Sequence, residues 1–354
     1  MKPWKIHVLY EYGLDLRPYG SAYLRLLRPL SHPAIASQVQ VTSGLSYTGQ
    51  TVDLVIVDRL WRPDISLELA VSLVEQVRAA GARLVYALDD NLHDLAPEQL
   101  DRPLERRFEI LDYFLAQADA IWVTTPALKE RVSAYSRCII TLPNALDERL
   151  LVNNRWFQDA SPFGEARVVI GYMGTYTHDD DLGMVLPALT DICASFPGRV
   201  SLELIGAIGK PETFQLMAGL PYRVINLLPG ESEYPLFQLW FTGRVRWDIA
   251  IAPLLDTPFN RCKSDVKYLD YCAISTPGIY SRVAPYQDSV QHKITGWLAE
   301  NTAEGWVQAL ENLIQEPELR SYLGTNATQY LYKERTLANC ASHWIEAIET
   351  VMAR

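Results

Sequence analysis

The stretch Thr51–Asp90, TVDLVIVDRLWRPDISLELAVSLVEQVRAAGARLVYALDD, decides how the rest of the chain is read. Val52–Val57 is a short apolar run ending at Asp58, the signature of a buried strand. Ile65–Ala80 then places Leu69, Leu73 and Val77 at i, i+4 and i+8, with Ala70 and Val74 beside them, which is one face of a helix. Gly81 stands where a C-terminal cap belongs. Arg83–Leu88 is a second apolar run, and it ends in Asp89-Asp90. Strand, helix and strand in succession make a βαβ unit, so the expected sheet is parallel and covered by helices.

The same alternation extends in both directions. Before it lies the strand-like run Ile6–Tyr10. After it come a helical stripe of Leu104, Phe108, Leu111 and Leu115, a strand at Ile121–Val123, a helix opened by Thr125-Pro126, and a strand at Cys138–Leu142. The segment Asn153–Glu165 breaks the rhythm and reads as a linker. A second series follows. Strands are expected at Arg167–Tyr172, Val200–Ile205, Asp248–Ala252 and Pro277–Tyr280, with a helix carrying Leu182, Leu186, Leu189 and Ile192. Helical patterns close the chain at Ala303–Gln315, Glu318–Tyr332 and Leu337–Met352.

The expected architecture is therefore α/β, with two doubly wound domains in tandem. Residues 1–152 form the first, 153–165 the linker and 166–336 the second, and the helix at 337–354, with Trp344, Ile345 and Ile348 on one face, closes the chain. Doubly wound sheets bind ligands at the carboxyl ends of their strands, at the switch point of strand order. With two such sheets the expected site is the cleft between them. The loops that follow strands are Glu11–Ser21, Asp58–Arg62, Asp89–His93, Gly174–Asp181 and Asp256–Lys267.

Composition excludes several classes. Across 354 residues, 49% are apolar and 21% charged, the profile of a packed globular protein. The formal charge of −10 argues against a nucleic-acid partner, which would need clustered Lys and Arg for phosphate contacts. It leaves peripheral membrane contact open, because a local basic patch can sit on an acidic whole. No apolar run approaches the ~20 residues of a membrane span, and the N-terminus leads directly into a strand without a leader pattern, so a cytoplasmic location is expected. The five cysteines are scattered without CxxC spacing, and the six histidines form no HExxH pair. No structural metal is expected.

The richest segment chemically is Pro258–Ser281, PFNRCKSDVKYLDYCAISTPGIYS. Lys263 and Lys267 flank the expected start of a helix, with Ser264 and Asp265 in its first turn. Unpaired N–H groups and the positive end of the helix dipole attract phosphate there. Two ammonium groups added to them would match a diphosphate. Asp270, three residues beyond Lys267, would lie one turn further along the same face, where a carboxylate can accept from a ribose diol. A solvated helix face with Lys–Asp pairing is the plainer reading of the same spacing.

This segment resembles the donor-site helix of retaining glycosyltransferases of the family-4 type, which have the GT-B architecture of two Rossmann-like domains around a cleft. Their motif has two glutamates separated by seven residues, then small residues and a Pro-containing strand start. Asp270-Tyr271-Cys272-Ala273-Ile274-Ser275-Thr276-Pro277 fits the second half. Cys262 stands at the first glutamate's place, so the match is to a variant subgroup with Lys-Ser-x-x-Lys-x-x-Glu/Asp-Tyr. Gly20-Ser21-Ala22-Tyr23-Leu24-Arg25 resembles the family's glycine-containing first loop. Leu142-Pro143-Asn144-Ala145-Leu146-Asp147 resembles its Pro-Asn-x-x-Asp segment, and Ile170-Gly171-Tyr172-Met173-Gly174-Thr175 resembles the opening strand and turn of its second domain. One departure is the turn Thr175–Asp181, acidic where family members carry an Arg and a Lys for the diphosphate.

The resemblance implies sugar transfer from a nucleotide-diphosphate sugar, with retention at the anomeric carbon and no metal or other cofactor. Polysaccharide or glycoconjugate biosynthesis is the implied setting. The acceptor would be a carbohydrate, a lipid-linked glycan or a small molecule. Gly20, Ser21, Gly174, Thr175, Lys263, Ser264, Asp265, Lys267 and Asp270 are the expected donor contacts. The expected catalytic groups are Lys263 and Lys267, stabilising the departing diphosphate, and Asp90 and His93, positioning the sugar or acceptor hydroxyl. Asp89-Asp90 and Asp179–Asp181 also have the look of metal-binding carboxylates. For Asp179–Asp181 the plainer reading is a cap and dipole partner at a helix start. Trp61 and Arg62, after the second strand, are candidates to face an acceptor. Cys262 and the acidic turn keep an alternative open, a non-catalytic nucleotide- or sugar-binding protein with a degenerate donor site. An epimerase on the same fold lacks a clear acid–base pair of carboxylates.

Overall fold

The computed structural model describes residues 2–95, 104–152, 167–174, 178–206 and 210–354. The expected linker and Thr175 lie outside the described residues. The chain divides into two compact units. The first comprises Met1–Glu148, Cys262–Ser264 and Arg335–Arg354; the second comprises Arg149–Arg261 and Asp265–Glu334.

In the first unit, β1 (Trp4–Leu9), β2 (Val39–Gly44), β3 (Leu54–Asp58), β4 (Arg83–Leu88), β5 (Ala120–Val123) and β6 (Ile139–Thr141) form one sheet in the order β2-β1-β3-β4-β5-β6. Every pairing is parallel. The central strands β3, β4 and β5 are largely apolar because helices cover both faces. β3, for example, is buried at every position. The helix Leu67–Ala79 packs Ala70, Leu73, Val74 and Val77 inward. Ser66 caps its start by accepting from the Leu69 amide, and Gly81 follows its end at φ +71°. The helix Pro126–Arg131 is capped in the same way by Thr125. The opposite face of the sheet is covered by helix 20–30 and by Leu337–Cys340 and Ser342–Met352.

In the second unit, β7 (Val168–Gly174), β8 (Val200–Gly206), β9 (Tyr222–Ile225), β10 (Ile249–Ala252), β11 (Gly278–Ser281) and β12 (Trp297–Ala299) are ordered β12-β11-β10-β7-β8-β9, again all parallel. The helices Asp179–Ser195 and Ala303–Gln315 supply Leu182, Leu186, Leu189, Trp306, Leu310 and Leu313 to the core beneath this sheet. Both units are thus Rossmann-like. Each has a place where the order of strands reverses, between β1 and β3 in the first and between β7 and β10 in the second.

Candidate functional site

In the first unit, three strand ends carry charge to the switch point. Glu11 follows β1, Asp58 closes β3 and Arg59 follows it, and Asp89-Asp90 follow β4. The Glu11 amide donates to Asp58 Oδ2 at 3.2 Å, tying the two switch-point loops together. Arg59 binds the carboxylates from both sides, with Nε 2.8 Å from Glu11 Oε2 and Nη1 3.2 Å from Asp89 Oδ1 and 3.5 Å from Asp90 Oδ2. Its backbone is left-handed, at φ +48°, as is that of Trp61 at φ +58°. Non-glycine residues seldom take that conformation, and it persists only where surrounding contacts hold it. Here the Arg59 amide donates to the Ala87 carbonyl and the Trp61 amide to the Asp58 carbonyl.

A second guanidinium stands behind the cluster. Arg25 is 3% exposed, and its Nη2 donates to the Trp122 carbonyl at 3.4 Å. It lies in a π-helical turn, Tyr23–Leu27, inside helix 20–30. Such a turn inserts one residue into the helical ladder and often marks a functional site. Burial, then Asp89 and Glu11, push the Asp58 carboxyl up to about 7. Burial, then Asp89, raise Asp90, with Lys263, Arg59 and Arg25 opposing that rise. Burial works against the charge on Arg59, but the carboxylates around it hold it well above its ordinary value. The arrangement presents two partly open carboxylates, Asp89 and Asp90, on a buried bed of charge.

In the second unit, the switch point lies where Gly174 ends β7 and Leu255 follows β10. The Leu255 amide donates to Asp181 Oδ1 at 2.8 Å, and His178 Nδ1 lies 2.8 Å from Asp181 Oδ2. Asp179 Oδ2 accepts from the Lys210 amide, and Asp180 pairs with the Lys210 ammonium. The acidic run therefore opens the helix Asp179–Ser195 and staples neighbouring loops to it. Lys267 lies 4.9 Å from the centre of the Tyr172 ring, on β7. It occupies the first turn of the helix Val266–Ala273, which is anchored by Tyr271 Oη donating to the Ile251 carbonyl of β10. Asp270, on the same helix, is 3% exposed, and its Oδ1 accepts from Gln238 Nε2 at 2.6 Å. Burial pushes its carboxyl up to about 7, with Gln238 and then Lys267 pulling the other way.

The residues singled out from the sequence separate into two groups. Gly20, Ser21, Asp90, His93, Lys263 and Ser264 belong to the first unit; Gly174, Asp265, Lys267 and Asp270 belong to the second. The helix begins at Val266, so Lys263 and Ser264 precede it and Asp265 is its N-cap residue, buried and without a side-chain capping bond. Lys263 contributes positive potential at Asp90, and Ser264 Oγ accepts from Asn144 Nδ2 at 2.9 Å. Gly20-Ser21 open helix 20–30, where Ser21 Oγ is buried. His93 Nε2 lies 2.8 Å from Asp112 Oδ1, and the ring stacks on Phe108 and Tyr135. Those contacts fix the orientation of the His93 ring through Nε2 and its two faces. Trp61 is 4% exposed, its indole donating to the Leu45 carbonyl, so it belongs to the core and presents no face to an acceptor.

Glu11, Asp58 and Arg59 lie in loops that the sequence singled out, but reading the sequence gave no role to them, to Arg25 or to Gln238. A charged residue just after each of three strands was the available signal for Glu11 and Arg59. Nothing local marks Arg25 or Gln238.

Among the described residues, His32, Asp147 and Glu148 form one grouping with metal-ligand spacing. Its atoms are already engaged. Arg28 Nε donates to Asp147 Oδ2 at 2.6 Å, and His32 Nδ1 accepts from the Ala34 amide, leaving Nε2 as the donor to Glu148 Oε1. Two surface hollows of about 420 and 430 Å³ lie beside the edge strands β6 and β9, apart from both switch points.

No protein-family model and no curated protein sequence matches the chain. Solved structures do. Anabaena HepE in complex with UDP-glucose is 14% identical over 99% of this chain and 100% of its own, with a TM-score of 0.66. A glycosyltransferase from Rickettsia africae ESF-5 is 11% identical over 99% of each chain, also at 0.66. Sucrose-phosphate synthase from Thermosynechococcus elongatus is 16% identical over 85% of this chain and 74% of its own, at 0.61. At these identities the likeness is one of fold: the chain has the two-unit Rossmann-like GT-B architecture that its sequence led us to expect.

Proposed function

We propose that the chain is a glycosyltransferase that moves a sugar from a nucleotide-diphosphate sugar to an acceptor hydroxyl. The observation that carries the proposal is the switch point of the second unit. There Lys267 sits over β7 in the first turn of a helix, and the same helix carries the buried carboxylate Asp270. Ligands of doubly wound sheets bind at such points. An ammonium group meets a diphosphate there, and a carboxylate meets a ribose. HepE, of the same fold, was crystallised with UDP-glucose, which makes a uridine diphosphate the first donor to try.

In the proposed reaction, the acceptor oxygen bonds to the anomeric carbon as the bond from that carbon to the β-phosphate oxygen breaks. The acceptor proton leaves with the phosphate, and the sugar keeps its configuration. Lys267 and the backbone N–H groups at the start of its helix stabilise the charge on the departing diphosphate. Asp270 receives the ribose. The first unit contributes acceptor binding through Asp89 and Asp90, whose electrostatic setting Arg59, Arg25 and Lys263 fix. Arg59 pairs with both of these carboxylates, and we take a hydroxyl rather than a divalent cation as their ligand, in keeping with the metal-independent reaction that the motif resemblance implies. Retention, and a role in polysaccharide or glycoconjugate synthesis, extend the reading from the motif resemblance. The five free thiols suit a reducing compartment.

Thermal stability in the presence of UDP, GDP, dTDP, CDP and ADP, without and then with Mg²⁺, tests the donor site. A ligand at a hundredfold excess over its Kd stabilises by about 2.7 kcal/mol, so a true donor nucleotide raises the melting temperature measurably. Lys267→Ala is expected to abolish that rise while leaving the unliganded melting temperature within a few degrees. A panel without any rise would refute the donor site, and a rise seen only with Mg²⁺ would refute metal independence.

A further inference from the structure

We infer that Gln238 is a positioning residue for the nucleotide ribose: its side-chain amide fixes the Asp270 carboxylate so that Oδ2 is the oxygen left to accept from the ribose diol. The inference rests on the donor site proposed above and adds to it a residue from a different helix, Tyr234–Arg244.

Three observations carry it. Gln238 is 1% exposed and Asp270 3% exposed, so the 2.6 Å bond between Nε2 and Oδ1 is shielded from water. Among the described residues nothing bonds to Asp270 Oδ2. The amide that holds Oδ1 leaves its own oxygen, Gln238 Oε1, buried and without a hydrogen-bond partner. An orphaned buried carbonyl is costly, and an apolar side chain of the same size would avoid the cost. The glutamine therefore earns its place through the one bond it makes. Its helix is itself pinned at this level, because Thr242 Oγ1 donates to the Gln238 carbonyl at 2.7 Å.

An ionised carboxylate only accepts, whereas a protonated one must spend an oxygen as a donor. Gln238 donates, so it favours the form that can receive a diol. The charged and titratable groups facing Asp270 are Lys267 and Tyr271 of its own helix, and the helix Tyr234–Arg244 contributes the neutral Gln238. Lys267 is thus the cation near it, and without Gln238 the balance between burial and ionisation tips further toward the protonated form.

The test is calorimetric binding of UDP and of 2′-deoxy-UDP from about pH 5.5 to about pH 8.5. In the wild type, UDP affinity is expected to weaken as the pH falls through about 7, where Asp270 takes up its proton. Gln238→Met, of similar length and without an amide, is expected to move that midpoint up by about one pH unit. Affinity at neutral pH then falls several-fold and recovers in alkali, and the preference for UDP over the deoxy analogue shrinks. A uniform loss at every pH with the midpoint unmoved overturns the inference and leaves a packing role. Should Gln238→Met not fold, the wild type still decides: equal pH dependence for UDP and 2′-deoxy-UDP overturns it. If the wild type binds none of the five diphosphates, the donor reading itself fails and this inference with it.

Discussion

Asp58 has 0% of its surface exposed, and its carboxyl is pushed from 3.8 up to about 7, first by burial and then by Asp89 and Glu11. The unfolded chain releases that proton near pH 4, whereas the native state keeps it to about pH 7. Between those values the native state binds the extra proton, so stability falls as the pH rises and levels off above 7. A shift of this size corresponds to a cost on the order of 4 kcal/mol in alkali. Asp58→Asn keeps the shape and removes the charge. It is expected to raise the melting temperature at pH 8 and to flatten the decline between about pH 4 and pH 7, as followed by circular dichroism. An unchanged or lower melting temperature at pH 8 would mean that the buried carboxylate carries no such cost, because Arg59 and Arg25 hold it ionised well below pH 7. The sequence showed the carboxylate at the end of this strand, but its partners lie on other strands and helices. Arg59 stands beside it in the chain and reads locally as an exposed turn residue. Only the left-handed backbone at Arg59 turns its guanidinium onto Glu11 and Asp89. Arg25 was still less legible, since a buried arginine inside an apolar helical run has no local signature.

The strands that sequence reading found include those buried on both faces, such as β3 and β4, where the apolar run is nearly unbroken, and β8, where Val200, Leu202, Leu204 and Ile205 outweigh the buried Ser201 and Glu203. The missed strands are β2, β9 and β12, each at the edge of its sheet. β2 reads VQVTSG and β9 reads YRVI, both partly exposed and with polar residues in the run, and β12 has three residues. A core strand also contains a constraint that its sequence does not announce. Gly171 is the fourth residue of β7, and a Cβ built there would lie 1.7 Å from the Trp247 ring. The indole lies flat against the bare backbone, and its Nε1 donates to Glu203 Oε2 at 2.9 Å. Arg223 holds the other oxygen, with Nε at 2.7 Å. Gly171→Ala must displace the indole and break the hydrogen bond to a buried carboxylate. Overpacking costs about 1–3 kcal/mol, and losing that bond adds about as much again. The expected result is a lower denaturation midpoint in urea with the slope unchanged. Trp247→Phe in the same background is expected to recover part of the loss, because the smaller ring leaves room for the methyl group. Should Gly171→Ala prove neutral, the ring has freedom that the packing here denies it.

The first unit is not continuous in the chain. Residues 335–354 cover one face of its sheet, burying Leu337, Trp344, Ile345, Ile348 and Val351 against Ile6, Val8, Ile56, Val85 and Trp122. The return is stitched at its start: the Leu146 amide donates to the Arg335 carbonyl and the Leu337 amide to the Leu146 carbonyl. Further along, Trp344 Nε1 donates to the Arg25 carbonyl at 2.9 Å. That last bond reaches the π-helical turn that carries Arg25, whose charge acts on Asp89, Asp58 and Asp90, so the cover supports the candidate site as well as the core. Burying the five large side chains is worth about 1.5–3 kcal/mol each. Their sum, roughly 10 kcal/mol, is as large as the whole stability of a typical domain. A fragment of residues 1–148 is therefore expected to lack a cooperative thermal transition and to bind a hydrophobic dye. The same fragment joined by a flexible glycine–serine linker to residues 335–354 is expected to regain the transition, and with it the pH dependence ascribed to Asp58. Cooperative melting of 1–148 alone would show that the remaining core suffices, and that the returning segment serves something other than stability. A linked fragment that melts cooperatively without the Asp58 pH dependence would separate the two roles, restoring the core while leaving Arg25 unsupported.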